Sequence, residues 1–151
     1  MGEEGLRAVS ENAVLAANYI KAGLSDTYPI QFGSERPNMH EVVFQGRPYG
    51  NNLKGSHPTT DIAKRLIDYG FHPPTVYFPL IADQALMIEP TETESMESLD
   101  RFIDAMKAIA QEAKDQPELL YEAPHSTSVG RLDEATAARK PVLRWKPRSQ
   151  S

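Results

Sequence analysis

Proline decides where this chain can be regular. Twelve prolines are spread over 151 residues, and each fixes φ and withholds a backbone donor, so a helix can begin at one but not run through it. Most of them fall outside the segments whose apolar residues recur periodically. Pro29 and Pro37 close off a first helical stretch, Pro73 and Pro74 forbid continuation of a second, and Pro117, Pro124, Pro141 and Pro147 cut the C-terminal part into short pieces. Short elements joined by ordered loops are the expected result.

Between these partitions the periodicities are plain. Leu6, Val9, Ala13, Ala16, Ile20 and Leu24 recur at intervals of three or four and predict an amphipathic helix over Leu6–Leu24. The branched and aromatic run His40–Gln45, bounded by Pro37 and Gly46, reads as a strand, and a glycine- and proline-containing loop follows to Pro58. Thr59–Gly70 predicts a helix with Ile62, Ala63, Leu66 and Ile67 as its buried stripe. A threonine is expected to cap it, Asp61 to sit at the positive end of its dipole, and Gly70 to provide a left-handed C-terminal cap. Thr75–Pro79 and Ala85–Glu89 read as two short strands whose five-residue link favours antiparallel pairing. Glu92, Glu94 and Glu97 lead into a third helix with the apolar face Leu99, Phe102, Ile103, Met106, Ile109 and Ala110. Beyond Asp115, short helices are possible from Pro117 to Tyr121 and from Leu132 to Ala138, and Lys146–Ser151 is expected to be disordered.

The element order implies an α+β fold, a small and mostly antiparallel sheet with helices packed on one face. The domain boundaries expected are a helix and linker over 1–38, a small α+β domain over 39–115 and a loop-rich extension over 116–151.

Chemistry read from the residues alone is sparse. His40, His57, His72 and His125 show no paired spacing on a helix, and there is no cysteine, so no metal site is expected and thiolate zinc and disulfides are excluded. Asp100 and Asp104 lie four apart, but Arg101 and Lys107 beside them indicate a solvated charged face. No nucleophile elbow, phosphate loop or dinucleotide fingerprint occurs. Arg139, Lys140, Arg144, Lys146 and Arg148 make a basic tail around Trp145, yet the net charge is −5, so no nucleic-acid partner is expected. The apolar runs fall short of the ~20 residues of a membrane span. Met1-Gly2-Glu3-Glu4-Gly5 lacks the basic start of a secretion signal, and a cytoplasmic protein with no membrane partner is the expectation.

Longer blocks carry more. Thr60-Asp61-Ile62-Ala63-Lys64-Arg65-Leu66-Ile67-Asp68-Tyr69-Gly70-Phe71-His72-Pro73-Pro74-Thr75 resembles the second subunit of the bacterial glycine dehydrogenase (decarboxylating), or P-protein, family of the glycine cleavage system. The resemblance runs on through Tyr77-Phe78-Pro79-Leu80, Leu86–Ser95 and Leu99–Met106, and reappears in Gly5-Leu6-Arg7, Met39-His40-Glu41, Ala123-Pro124-His125, Arg131–Glu134 and Pro141–Trp145. Nearly the whole chain is covered.

That resemblance implies the small C-terminal domain of a fold type I pyridoxal-phosphate enzyme. The complete enzyme decarboxylates glycine on pyridoxal phosphate, whose ring is the electron sink, and passes the aminomethyl group to the lipoyl arm of H-protein. The partners implied are P-protein subunit 1, the large domain, lipoylated H-protein and glycine. The family's Schiff-base lysine follows a histidine, whereas Lys21, Lys54, Lys64, Lys107, Lys114, Lys140 and Lys146 here do not. The chain therefore reads as a C-terminal portion that begins near the helix joining the two domains. No catalytic or cofactor-binding residue is expected in it, no covalently bound cofactor, and no activity when it is alone. The substrate-facing candidates are His72 and Thr75, in the turn Phe71–Thr75, with His125 and Arg131 in the segment that follows Pro124. The plainer reading is that His72 fixes a turn and that Arg131 pairs with Asp133 or Glu134. A non-catalytic interaction or subunit-assembly domain is the alternative, followed by an unrelated small-molecule-binding α+β domain.

Overall fold

The computed structural model describes residues 1–48 and 57–145. The first helix, α1, spans Glu3–Leu24, three residues longer at its start than the apolar pattern indicates. Glu3 and Glu4 in its first turn favour the extension, because carboxylates are stabilised at the positive end of the dipole. Helix α2 covers Pro58–Asp68, with proline at its first position. The expected threonine cap is not formed. Pro58 takes the first helical position and places His57 at the cap without a side-chain hydrogen bond, so Thr59 and Thr60 fall inside the first turn. Their hydroxyls reach other elements instead, Thr59 the Gln84 carbonyl at 3.0 Å and Thr60 the Tyr77 hydroxyl at 3.1 Å.

The other end of α2 is as expected. Gly70 has φ +81°, its N–H donates to Ile67 and that of Phe71 donates to Leu66, which closes the helix in a Schellman motif. Helix α3, Met96–Asp115, is capped by Ser95, whose hydroxyl accepts the Ser98 N–H at 3.1 Å. Two short helices follow, α4 at Glu118–Tyr121 and α5 at Glu134–Arg139.

The strands are β1 (Val42–Gln45), β2 (Thr75–Val76) and β3 (Ala85–Ile88), in the sheet order β1-β3-β2 with both pairings antiparallel. The pairing of β2 with β3 follows the expectation; that β1 flanks β3 on its other edge had no signal in the sequence. Strand β2 ends early because Tyr77 turns to φ +58°, a left-handed conformation that leaves the ladder. Val42 faces Ile88 and Phe44 faces Leu86, so the same side of the sheet looks toward the helices. The result is a mixed helix-and-sheet architecture of the α+β kind.

The core joins elements from all along the chain. Ile20 and Leu24 of α1, Val42 and Phe44 of β1, Ile62 and Leu66 of α2, Leu86 of β3, Met106 and Ile109 of α3 and Leu120 of α4 pack in one cluster. Each such side chain contributes about 1.5–3 kcal/mol through burial. Tyr28 is fully buried among them. It meets the Phe44 ring edge-on at 6.2 Å and satisfies its hydroxyl by donating to the Met106 carbonyl at 2.9 Å. Only the C-terminal half of α1 takes part: Ala16, Ile20 and Leu24 are buried, whereas Leu6 near its start is 62% exposed.

Lys54 and most of the loop before Pro58, like the Lys146–Ser151 tail, lie outside the described residues. Among the described residues no helix is long and apolar enough to cross a membrane.

Candidate functional site

Two carboxylates on α2 organise the segment that returns along it. Asp61 and Asp68 are seven residues apart, two turns along one face of the helix. Asp68 Oδ1 accepts the N–H groups of His125 and Ser126, both at 2.7 Å, and the Ser126 hydroxyl at 2.8 Å. Asp61 Oδ1 accepts from Arg131 Nη2 at 2.7 Å, and the same nitrogen reaches the Leu120 carbonyl at 2.7 Å. The segment 125–131 is thus held at both ends.

Arg131 stands in a cleft of about 700 Å³ with His57, Thr60, Asp61, Tyr77 and Asp133. Burial pushes the Asp61 carboxyl above its ordinary value, and the hydrogen bond and charge of Arg131 only partly reverse this. The expected pairing of Arg131 with Asp133 or Glu134 is corrected here. Asp133 caps α5 by accepting the Thr136 N–H, and Glu134 lies 3.9 Å from Lys64, so Arg131 turns to the buried carboxylate on α2. Chemically, the cleft sets one cation, already paired with Asp61, among Thr60, Tyr77 and Tyr121 and the acidic residues Asp133 and Glu134.

His72 and Thr75 lie elsewhere. They line a cleft of about 370 Å³ whose walls include Phe71, Leu99, Phe102 and Glu89. Phe71 and Phe102 meet edge to face at 5.3 Å. His125 lines neither cleft; its ring Nε2 is 2.9 Å from the Leu119 carbonyl. The four candidates therefore separate into three places.

Sequence reasoning missed Thr60, Asp61 and Tyr77 as neighbours of Arg131. Thr60 and Asp61 had been explained by the helix start. Nothing in the sequence signals that Tyr77 adopts a positive φ. That conformation is costly for a tyrosine and aims its hydroxyl at Thr60.

Beside the cleft a polar network fastens α2 to α3. Arg65 donates to both Glu112 oxygens at 2.8 Å and to Asp68 at 3.0 Å, and the Tyr69 hydroxyl donates to Glu112 at 2.8 Å. Burial alone would raise the Glu112 carboxyl, but hydrogen bonds from Arg65 and Tyr69 and the Arg65 charge outweigh it and hold the group below its usual range. For Asp68, burial is likewise outweighed, by the Ser126 and His125 N–H groups, the Ser126 hydroxyl and Arg65.

A family model described as the glycine dehydrogenase, C-terminal domain, matches residues 9–127. The chain belongs to this family. Its relatives include three proteins each named probable glycine dehydrogenase (decarboxylating) subunit 2. That of Staphylococcus haemolyticus is 58% identical over 145 residues, covering 96% of this chain and 28% of the relative. That of Caldanaerobacter subterraneus is 57% identical, covering 96% and 29%, and that of Halalkalibacterium halodurans 54% over 150 residues, covering 99% and 30%. The chain spans about three tenths of the length of these curated relatives.

Among the described residues no lysine lines either cleft, or a third of about 360 Å³ beside β1. Lys21 is buried and donates to the Gly33 and Arg36 carbonyls and to Asn38 Oδ1, and Lys64 faces Glu134. No step through pyridoxal phosphate is therefore assigned to these residues. Among the described residues no group of three or more histidines and carboxylates stands ready to hold a metal ion.

Proposed function

We propose that this chain is the C-terminal small domain of a fold type I, pyridoxal-phosphate-dependent glycine dehydrogenase (decarboxylating), and that the cofactor is held by parts of the enzyme outside these residues. The match over 96% of the chain to a protein of that name carries the reading. Residues 1–38 lead in from the large domain, 39–115 make up the small domain and 116–151 a loop-rich C-terminal extension. Subunit 1, lipoylated H-protein and glycine are the proposed partners, in the cytoplasm.

Within this role Arg131 is the group we assign to the glycine carboxylate. Of the four candidates it alone is a fixed cation in a polar cleft, since Asp61 and Leu120 hold one of its nitrogens and the residue lines the cleft beside His57, Thr60 and Tyr77. His72, Thr75 and His125 stand behind it as candidates because their positions offer a weaker grip on an anion.

In the complete enzyme, Arg131→Ala is expected to raise the KM for glycine about tenfold or more, the scale of one lost charge-assisted hydrogen bond. Arg131→Lys, which keeps the charge beside Asp61, separates this from misfolding. Unaltered glycine affinity in both variants removes Arg131 from the site. The wider reading is tested on the isolated chain with pyridoxal phosphate and borohydride. No reducible adduct, with activity appearing once the other parts are supplied, supports it; a specific lysine adduct that responds to glycine defeats it.

The exposed apolar residues of α1, Leu6 near its start and Leu15 near its middle, favour a second role in assembly. Sedimentation of the isolated chain tests that role, because a chain that stays monomeric at every concentration has no such interface.

A further inference from the structure

Charge is divided unevenly along the chain. Five of its sixteen basic residues, Arg139, Lys140, Arg144, Lys146 and Arg148, fall in the last thirteen positions, which contain no acid. The remainder holds eleven bases against all twenty-one acids, a net charge of −10. The basic stretch also carries apolar side chains that its own copy leaves uncovered. Val142 and Leu143 are each 89% exposed and Trp145 is 86% exposed, in a segment with no regular structure. Three large apolar groups within four residues of an irregular arm are costly to leave in water, and the cations beside them point to an acidic seat.

The same molecule has such a seat. The cleft of about 370 Å³ has Phe71, Leu99 and Phe102 in its walls and Glu89 and Glu94 among its lining residues, and among the described residues no lysine or arginine lines it. Its volume lies in the range of sites that take a few side chains. The arm of the same copy is not among the residues that line it. We infer that the arm Pro141–Trp145 of one copy docks in this acidic, apolar cleft of a second copy, with Leu143 or Trp145 inserted and Arg144 or Lys140 facing Glu89 and Glu94. The pairing is reciprocal in a two-fold dimer, since each copy has one arm and one cleft.

Trp145 is the only tryptophan in the chain, so its fluorescence reports the arm directly. Emission and sedimentation velocity are to be measured on the full chain over a series from micromolar to millimolar concentration. The inference expects a dimer whose formation shifts Trp145 emission to the blue with the same concentration dependence. Leu143→Asp, at a position exposed in the monomer and harmless to its fold, abolishes both signals. Glu89→Gln with Glu94→Gln weakens association roughly three- to tenfold, the scale of two exposed ion pairs, and added salt does likewise. A monomer throughout the series overturns the inference. So does a blue shift independent of concentration, which means the arm folds onto its own copy, and so does a dimer indifferent to both variants.

Discussion

Asp61 and Asp68 are the same residue type on one helix face, yet they respond oppositely to acid. Asp68 and Glu112 have folded-state values below those of the unfolded chain. Their contribution is therefore full above the unfolded carboxylate range, about pH 4, and is lost as pH falls through the folded values. Glu112→Gln leaves Arg65 and Tyr69 without their anionic partner and is expected to cost about 1–3 kcal/mol near neutrality. Urea titrations at several pH values should show that deficit shrinking toward acid. Asp61 is raised, so its ionised form opposes folding and the opposition grows as pH rises through the carboxylate range. Arg131 offsets this. Arg131→Ala is accordingly expected to destabilise the chain more at pH 7 than at pH 4, and an equal loss at both values would show that Asp61 does not depend on its partner. None of this was legible beforehand, because Asp61 and Arg131 are seventy positions apart and each had an adequate local explanation.

Elements were more legible than their arrangement. The three long helices were announced by apolar spacing, and α2 ended at the glycine expected to end it. Gly70→Ala tests that ending: a Cβ there meets nothing within 4 Å, so only the φ of +81° is at stake, at about 1 kcal/mol. Gly46 is the opposite case. A Cβ at this position would stand 2.8 Å from the Thr59 Cα, and backbone cannot yield as a side chain does. Gly46→Ala is expected to cost about 1–3 kcal/mol by overpacking, and a smaller loss in thermal or urea unfolding than that of Gly70→Ala would reverse the ranking. Both contacts of Gly46 and Thr59 come from bringing the end of β1 against the start of α2. Strand order is set by such long-range packing, which the prolines and periodicities of the sequence do not encode. The threonine cap failed for a local reason, as Pro58 claimed the first helical position.

At the scale of the molecule, one core draws α1, the sheet, α2, α3 and α4 together, so unfolding is expected to be cooperative. The first half of α1 stands outside it. Amide exchange should therefore be fast over Glu3–Glu11 and slow over Ala16–Leu24, and uniform protection along α1 in the isolated chain would contradict the exposure of Leu6. The family relationship was legible in blocks such as Thr60–Thr75, whereas the separation of the candidates into different clefts required the fold. The buried ammonium of Lys21 has a further use. An amine needs its lone pair to be acylated, and this one is enclosed while donating to three oxygens. Acetylating reagents should thus modify Lys107 and Lys114 on the surface of α3 at once and reach Lys21 only when the chain opens. The appearance of an acetyl group at Lys21, read by mass spectrometry, then times the opening of the chain around that ammonium in water, without denaturant.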